Sequence, residues 1–142
     1  MRVYLDNCCF NRPYDDQSYL TVKLESEAKL FVQKEILHGT FELVWSYMLD
    51  YENSANPYGE RKNTIAKWRA VAGLDIDFSE EVMETAKRLM MLGFKNKDAL
   101  HVACALMGKC DCFLTTDKSV LNKQVTVIAV MNPVDFVRSL EA

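Results

Sequence analysis

Short apolar runs alternate along the chain with longer segments in which apolar residues recur at helical spacing. The segment 19–38 is a clear helix, because its apolar residues recur mostly every three or four positions and Gly39 is placed to end it. The apolar face of this helix carries Leu20, Leu24, Ala28, Phe31 and Val32. Strands are predicted at residues 3–5, 41–45, 74–78, 112–115 and 124–130. This alternation of strands and helices predicts a mainly parallel sheet with helices on both faces.

Helix-capping residues place the remaining helices. The predicted N-caps are Ser46, Ser79, Asn96 and Asn132. Further helices are predicted over 46–55, 60–71, 80–92, 97–107 and from 133 onward, with a polar loop over 11–18. The helix after Ser79 is expected to turn Val82, Ala86, Leu89 and Met90 inward. Right-handed crossovers then favour a doubly wound, three-layer α/β/α fold. The expected strand order is 3-2-1-4-5, with residues 1–142 in a single domain.

Composition narrows the class of protein. The 142 residues are 49% hydrophobic and 26% charged, as is typical of a soluble globular domain. No apolar run reaches the roughly 18–20 residues that span a membrane, and the N-terminus lacks the basic and apolar regions of a signal peptide, so a cytoplasmic protein is expected. The five cysteines are odd in number and lack CxxC spacing, which argues against a disulfide framework. Free cysteines are favoured over a zinc site that would use His38 or His101.

Four acids are predicted to meet at one edge of the sheet. Asp6 directly follows the first strand, and Asp117 follows the fourth. Asp98 opens the helix that leads into the fourth strand, and Glu52 lies about two turns into the helix after the second strand. Doubly wound sheets bind ligands beyond the carboxyl ends of their strands, where the strand order reverses. With order 3-2-1-4-5 that reversal lies between strands one and four, so the four acids should converge there.

Clustered carboxylates repel one another unless a cation lies among them. Magnesium and manganese are hard ions that prefer oxygen ligands, so Mg²⁺ or Mn²⁺ is the expected cofactor. Such ions assist the attack of water on phosphodiesters by lowering the pKa of the attacking water and stabilising the leaving oxygen. The net charge of −3 is not that of a general nucleic-acid binder, but it does not exclude a polyanion bound through metal.

Four segments resemble the PIN domain, the small metal-dependent nuclease fold of VapC-type toxins and related ribonucleases. They are VYLDNCCFNRP at 3–13, SYMLDYE at 46–52, KDALHVACA at 97–105 and FLTTD at 113–117. The segments follow the order and spacing of the family, and the resemblance spans essentially the whole chain. The pair DALHVACA and LTTD is the most specific part of it.

The resemblance implies roles for individual residues. The catalytic and metal-binding acids of the family correspond to Asp6, Glu52, Asp98 and Asp117. Asp50 is a second candidate for the second acid, but Glu52 is favoured because it follows Ser46 by six residues, as the glutamate of the family does. The small polar residue beside the last acid would be Thr115 or Thr116, and Asn7 stands where the family often has Ser or Thr.

The function implied is that of an endoribonuclease, the toxin of a toxin–antitoxin pair. The expected partners are an RNA substrate, a small antitoxin protein and a second copy of the chain in a homodimer, with no membrane. Arg12, Lys97 and Lys118 flank the acids in sequence and are candidates for contacts with phosphates, although solvated surface charges are an equal alternative.

Three alternative functions are compared with the residues at the predicted strand ends. A phosphoacceptor receiver needs an acid pair after the first strand and a lysine after the fifth, and a D-x-D phosphatase needs an acid at position 8, where this chain has Cys8. A PIN-fold module that binds RNA or protein without cleaving it is the stronger alternative. Asp6 could merely cap a turn, and His101 is more typical of a packed or hydrogen-bonded histidine than of a metal ligand.

Overall fold

The fold is built on one sheet of five parallel strands in a computed structural model that describes residues 1–123 and 125–141. The strands are β1 (Arg2–Leu5), β2 (Glu42–Ser46), β3 (Leu74–Ile76), β4 (Cys112–Leu114) and β5 (Ala129–Met131). Their order is β3-β2-β1-β4-β5, as predicted, and every neighbouring pair runs parallel.

Helices make up the two outer layers. They are α1 (Asn7–Asn11), α2 (Leu20–Leu37), α3 (Tyr47–Ser54), α4 (Gly59–Ala66), α5 (Trp68–Val71), α6 (Glu80–Met91), α7 (Asn96–Met107), α8 (Lys118–Leu121) and α9 (Pro133–Leu140). Helix α2 packs on α9, and α6 packs on α7. The chain moves one way across the sheet from β1 to β3 and the other way from β3 to β5, so right-handed crossovers put α2 on one face and α6 and α7 on the other. Helix α9 follows the last strand and lies on the face of α2, on which it packs. In the part of the chain that the structure describes, no helix is both long and apolar enough to cross a bilayer.

The core is centred on β1, the middle strand. Val3, Tyr4 and Leu5 are fully buried, as expected for a parallel strand covered on both faces. The ring of Tyr4 stacks on that of Phe113 in β4 at 5.2 Å between centroids. Parallel pairing of β1 with both β2 and β4 brings the carboxyl ends of these three strands to one edge.

Helix α2 forms where predicted, but its apolar face is largely exposed. Leu20 is 70% exposed and Leu24 is 45% exposed. The buried side instead carries Glu25, which pairs with Arg12 at 3.1 Å, and Lys29, whose pKa burial lowers to about 8. Periodicity alone located the helix without identifying the side that packs on the sheet.

Several boundaries differ from the predictions. Asn96 is the first residue of α7 and not its cap, because Lys95 takes that position without a side-chain hydrogen bond. The helix predicted over 60–71 is broken at Lys67. Met90, predicted to be buried, is 43% exposed. The predicted loop over 11–18 includes a 3-10 turn, which extends from Arg12 to Tyr14.

The last strand is shorter than predicted. It begins at Ala129, and residues 125–128 precede it without strand structure. Gln124, the predicted first residue of this strand, lies outside the described residues. The caps of the other helices agree with the sequence: Ser46, Ser79 and Asn132 each accept a hydrogen bond from a backbone N–H of the first helical turn.

Candidate functional site

A cleft of about 350 Å³ opens at the carboxyl edge of the sheet. The four predicted acids, Asp6, Glu52, Asp98 and Asp117, all line it. Asp6 comes from the end of β1 and Asp117 from the segment after β4, whereas Glu52 and Asp98 come from α3 and the first turn of α7. The topology therefore brings together acids that are up to 111 positions apart in the chain.

Asp6 is held in place by several short polar contacts. It is the N-cap of α1, where one carboxylate oxygen accepts from the backbone N–H of Asn7 at 2.8 Å. The hydroxyl of Thr115 donates to the other oxygen at 2.8 Å, and the thiol of Cys8 lies 3.6 Å from that oxygen. Only 7% of Asp6 is exposed, so its carboxylate has a fixed orientation. Capping the helix and lining the cleft are thus compatible tasks for this side chain.

Thr115 links the first acid to the last. Its hydroxyl donates to Asp6 and accepts from the backbone N–H of Asp117 at 3.1 Å. Asp117 itself caps α8 by accepting from the backbone N–H of Ser119 at 2.9 Å. Thr116, the other predicted candidate, lines the cleft, and its backbone N–H donates to the sulfur of Cys8 at 3.4 Å.

Glu52 is positioned by a buried histidine. Nε2 of His101 forms a hydrogen bond with Glu52, and Nδ1 lies 2.7 Å from the hydroxyl of Tyr4. That hydroxyl is also 2.6 Å from Oγ of Ser46. Asn7, on the other side, donates to Glu52 from its amide at 3.4 Å. A chain of hydrogen bonds therefore runs from the core strand β1 to the cleft.

The charges in the cleft shift the pKa values of this pair in opposite directions. Burial disfavours the charged forms of both side chains, but their hydrogen bond and mutual attraction outweigh it. The pKa of Glu52 is lowered and that of His101 is raised. Asp6 and Asp98 add to the shift of His101, and Lys97 adds to that of Glu52. Glu52 is thus maintained as a carboxylate that faces the other acids.

Asp50, the alternative second acid, lies outside the cleft. Its carboxylate accepts a hydrogen bond from Nε1 of Trp45 at 3.0 Å and lies 3.7 Å from the guanidinium of Arg69. Both contacts lie away from the cleft-lining residues. Of the two candidates on α3, only Glu52 lines the cleft together with the other acids.

The donor set fits a hard divalent cation. Burial and the negative charges of Asp6 and Asp117 raise the pKa of Asp98, so these carboxylates repel one another as they stand. A cation bound by carboxylate oxygens removes that repulsion, and Mg²⁺ and Mn²⁺ prefer such ligands. Ligand atoms of Asp6, Glu52 and His101 lie within 4.8 Å of one another, and no other such group of three is found among residues 1–123 and 125–141. Both nitrogens of His101 are already hydrogen-bonded, which suits a residue that orients Glu52.

We expect Asp98→Asn to raise the melting temperature of the metal-free protein at pH 7. The raised pKa means that the fold disfavours the ionised carboxylate above that pKa, whereas asparagine has no charge to repel its neighbours. The gain should vanish below about pH 4, where the carboxyl is protonated in the folded and unfolded states. Because Asp98 is partly solvated, the gain is under about 1 kcal/mol, or at most a few degrees. Thermal unfolding in EDTA at the two pH values measures it.

Asp135→Asn is the matched control. Asp135 occupies the third position of α9, as Asp98 does in α7, but it is exposed and does not line the cleft. Its replacement should leave the melting temperature unchanged or slightly lower, because it removes only a favourable interaction with the helix dipole. Equal effects of the two substitutions would contradict repulsion among the acids of the cleft.

The basic residues that flank the acids differ in their availability. Arg12 lines the cleft, but it is paired with Asp15 at 3.0 Å and with Glu25 at 3.1 Å. Lys97 also lines the cleft, and its ammonium lies 5.6 Å from the ring centroid of Tyr51. Lys118 is exposed and is not among the residues that line the cleft. Lys97 is therefore the best placed of the three to meet a phosphate.

The likeness to known proteins is one of fold. The chain superposes on a chain of the crystal structure of VapBC2 from Rickettsia felis bound to a DNA fragment from their promoter. The TM-score is 0.57, the sequence identity is 17%, and the match covers 93% of this chain and 98% of the other. Comparison of the sequence with protein-family models and with curated proteins finds no match. The fold is thus PIN-like, as the sequence motifs predicted.

Two residues of the site were absent from the sequence predictions. Tyr4 was expected only as part of the first strand, yet its hydroxyl joins Ser46 to His101. Cys8 was left without a role, and its sulfur packs beside Asp6 and Thr115. For Tyr4 a signal existed: a tyrosine in a strand buried on both faces needs a partner for its hydroxyl.

Proposed function

We propose that this protein is a Mg²⁺- or Mn²⁺-dependent endoribonuclease. The observation that carries the proposal is the convergence of Asp6, Glu52, Asp98 and Asp117 on one cleft at the carboxyl edge of the sheet. Four acids that would repel one another without a cation are best explained by metal binding, and hydrolysis of phosphodiesters is chemistry that such ions support.

Each acid would contribute differently to that chemistry. Asp6 has a fixed carboxylate and Glu52 is kept ionised by His101, so both offer pre-oriented oxygen ligands. Asp98 and Asp117 complete the wall of the cleft. A bound divalent ion would lower the pKa of water and offset the charge on the phosphate. The RNA backbone would be attracted by Lys97 at the border of the cleft, because the acids alone repel a polyanion.

The experiment that tests the function is cleavage of single-stranded RNA by the purified protein with and without divalent metal. We expect cleavage in Mg²⁺ or Mn²⁺, arrest by EDTA, and recovery when excess metal is added back. Products with a 5′-phosphate and a 3′-hydroxyl, and no 2′,3′-cyclic phosphate, would agree with attack by water and not by the ribose 2′-hydroxyl. RNA binding without cleavage in either metal would instead support the alternative, a PIN-fold binding module.

The biological role that we propose is that of a toxin neutralised by a small protein. This proposal is supported by the resemblance of the sequence to VapC-type toxins and by the fold that the chain shares with a chain of the VapBC2 structure. The cellular site that we propose is the cytoplasm, where RNA substrates are found. A short reading frame for a small protein beside the gene is the observation that distinguishes a toxin from a nuclease of RNA processing.

A further inference from the structure

A second cavity adjoins the acid cleft and has a different lining. Its volume is about 230 Å³, and it shares Asn7, Asn11 and Glu52 with the cleft. Its remaining walls include Tyr58 and Arg61 of the segment that follows α3. A chain segment bound in the cleft could therefore continue into this cavity without leaving the surface.

Arg61 lies against two tyrosine rings. Its guanidinium carbon is 4.0 Å from the ring centroid of Tyr58 and 4.9 Å from that of Tyr14. Both rings reach solvent, with Tyr58 56% exposed and Tyr14 37% exposed. We name these three side chains the Arg61 stack. Among the described residues no carboxylate lies within 4.0 Å of the Arg61 guanidinium, so its charge is free to meet an anion.

We propose that the Arg61 stack binds a nucleotide of single-stranded RNA next to the phosphodiester held in the acid cleft. This inference rests on the proposed nuclease function and names a subsite for its substrate. Exposed rings and a guanidinium plane are the surfaces on which unpaired bases stack, and the same guanidinium can donate to a phosphate. The amide of Asn56 donates to that of Asn11 at 3.3 Å in the same cavity, which adds groups able to hydrogen-bond a base edge.

Charge favours RNA over an acidic partner at this place. The cleft carries four carboxylates, which repel a phosphate backbone, and Lys and Arg side chains are the groups that contact phosphates. Lys97 lies over the ring of Tyr51 at one border, and Arg61 lies over the ring of Tyr58 in the adjoining cavity. A strand of RNA thus finds one cation beside an aromatic ring at the cleft and a second in the adjoining cavity, the combination that single-strand binding surfaces use.

The test is binding of a fluorescent RNA oligonucleotide in Ca²⁺, measured by anisotropy, for Tyr58→Leu and Arg61→Gln. Stacking of one base is worth about 1–3 kcal/mol, so each variant should bind at least about fivefold more weakly than wild type. An oligonucleotide with one abasic position, moved along the sequence, should at one position bind wild type and Tyr58→Leu equally. Arg88→Gln is the control, because it removes the same charge from an exposed position of α6. This variant should bind RNA as wild type does.

The outcomes separate this inference from the proposed function. Unchanged RNA affinity in both variants of an active nuclease would overturn the subsite and leave the stack to a protein partner. A loss of affinity in Tyr58→Leu that is the same at every abasic position would overturn the stacking of a base on this ring. If the wild-type protein does not cleave RNA but both variants show the expected loss of RNA affinity, the nuclease function is overturned and the RNA subsite is kept.

Discussion

Asp6→Asn should lower RNA cleavage at least about 100-fold while the protein stays folded. Replacing residues that only support metal ligands costs about 10- to 100-fold, so losing the charge of a ligand costs more. The asparagine carbonyl can still accept the backbone N–H of Asn7 and so cap α1. Its amide can donate to the hydroxyl oxygen of Thr115, whereas the carboxylate of Asp6 accepts from that hydroxyl. Initial cleavage rates in Mg²⁺ and Mn²⁺, with circular dichroism of the same samples, measure both parts of this prediction.

Asp50→Asn is the matched control for that experiment. Asp50 carries the same charge near Glu52 in sequence, but its partners are Trp45 and Arg69. Its replacement should leave the cleavage rate within a few fold of wild type, with some loss of stability. A larger loss in Asp50→Asn than in Asp6→Asn would show that the second acid and the cleft are assigned to the wrong residues.

His101→Leu should lower cleavage about 10- to 100-fold and lower the free energy of unfolding by about 1–3 kcal/mol. Leucine fills the buried volume, but it leaves Glu52 with the amide of Asn7 alone and Tyr4 bonded to Ser46 alone. We assign His101 as a positioning residue, because it acts through Glu52. The readout that a purely structural role would not move is the Mn²⁺ dissociation constant, which should rise when measured well below the melting temperature.

Tyr4→Phe separates orientation of Glu52 from stability of the core. This variant removes the hydroxyl from Nδ1 of His101 but keeps the bond between Nε2 and Glu52. It should lose stability with a smaller loss of cleavage than His101→Leu. If His101→Leu binds Mn²⁺ as tightly as wild type does, Glu52 is not held for the metal and the positioning role is wrong.

The fold followed from the sequence because its signals are local. Each strand is a short apolar run, and caps such as Ser79 start the helices within a few residues. Right-handed crossovers limited the topology to a doubly wound sheet, and the order 3-2-1-4-5 expected within it is the observed one. The side of α2 that packs on the sheet could not be predicted, because the buried Glu25 accepts a hydrogen bond from Asn132, 107 positions away in the chain. Hydrophobic periodicity contains no information on such distant polar partners.

The candidate site could likewise be predicted only where its residues are marked by local signals. Asp6, Asp98 and Asp117 could be located because each stands at the end of an element, and parallel strands end at one edge. The partner of Glu52 could not, because His101 is 49 positions away and its second nitrogen meets Tyr4, 97 positions away. The pattern of the sequence did not single out Arg61, because its two tyrosine neighbours come close to it only in the folded chain.

The proposed nuclease mechanism depends most on where a divalent ion binds. Crystals of wild type and Asp6→Asn grown in Mn²⁺ and measured at the manganese edge answer this through the anomalous difference map. We predict a peak in the wild-type cleft in contact with Asp6 and at least one of Glu52, Asp98 and Asp117, and a weak or absent peak in the variant. Peaks only outside the cleft, or equal peaks in the two proteins, would contradict the metal site and the nuclease mechanism built on it.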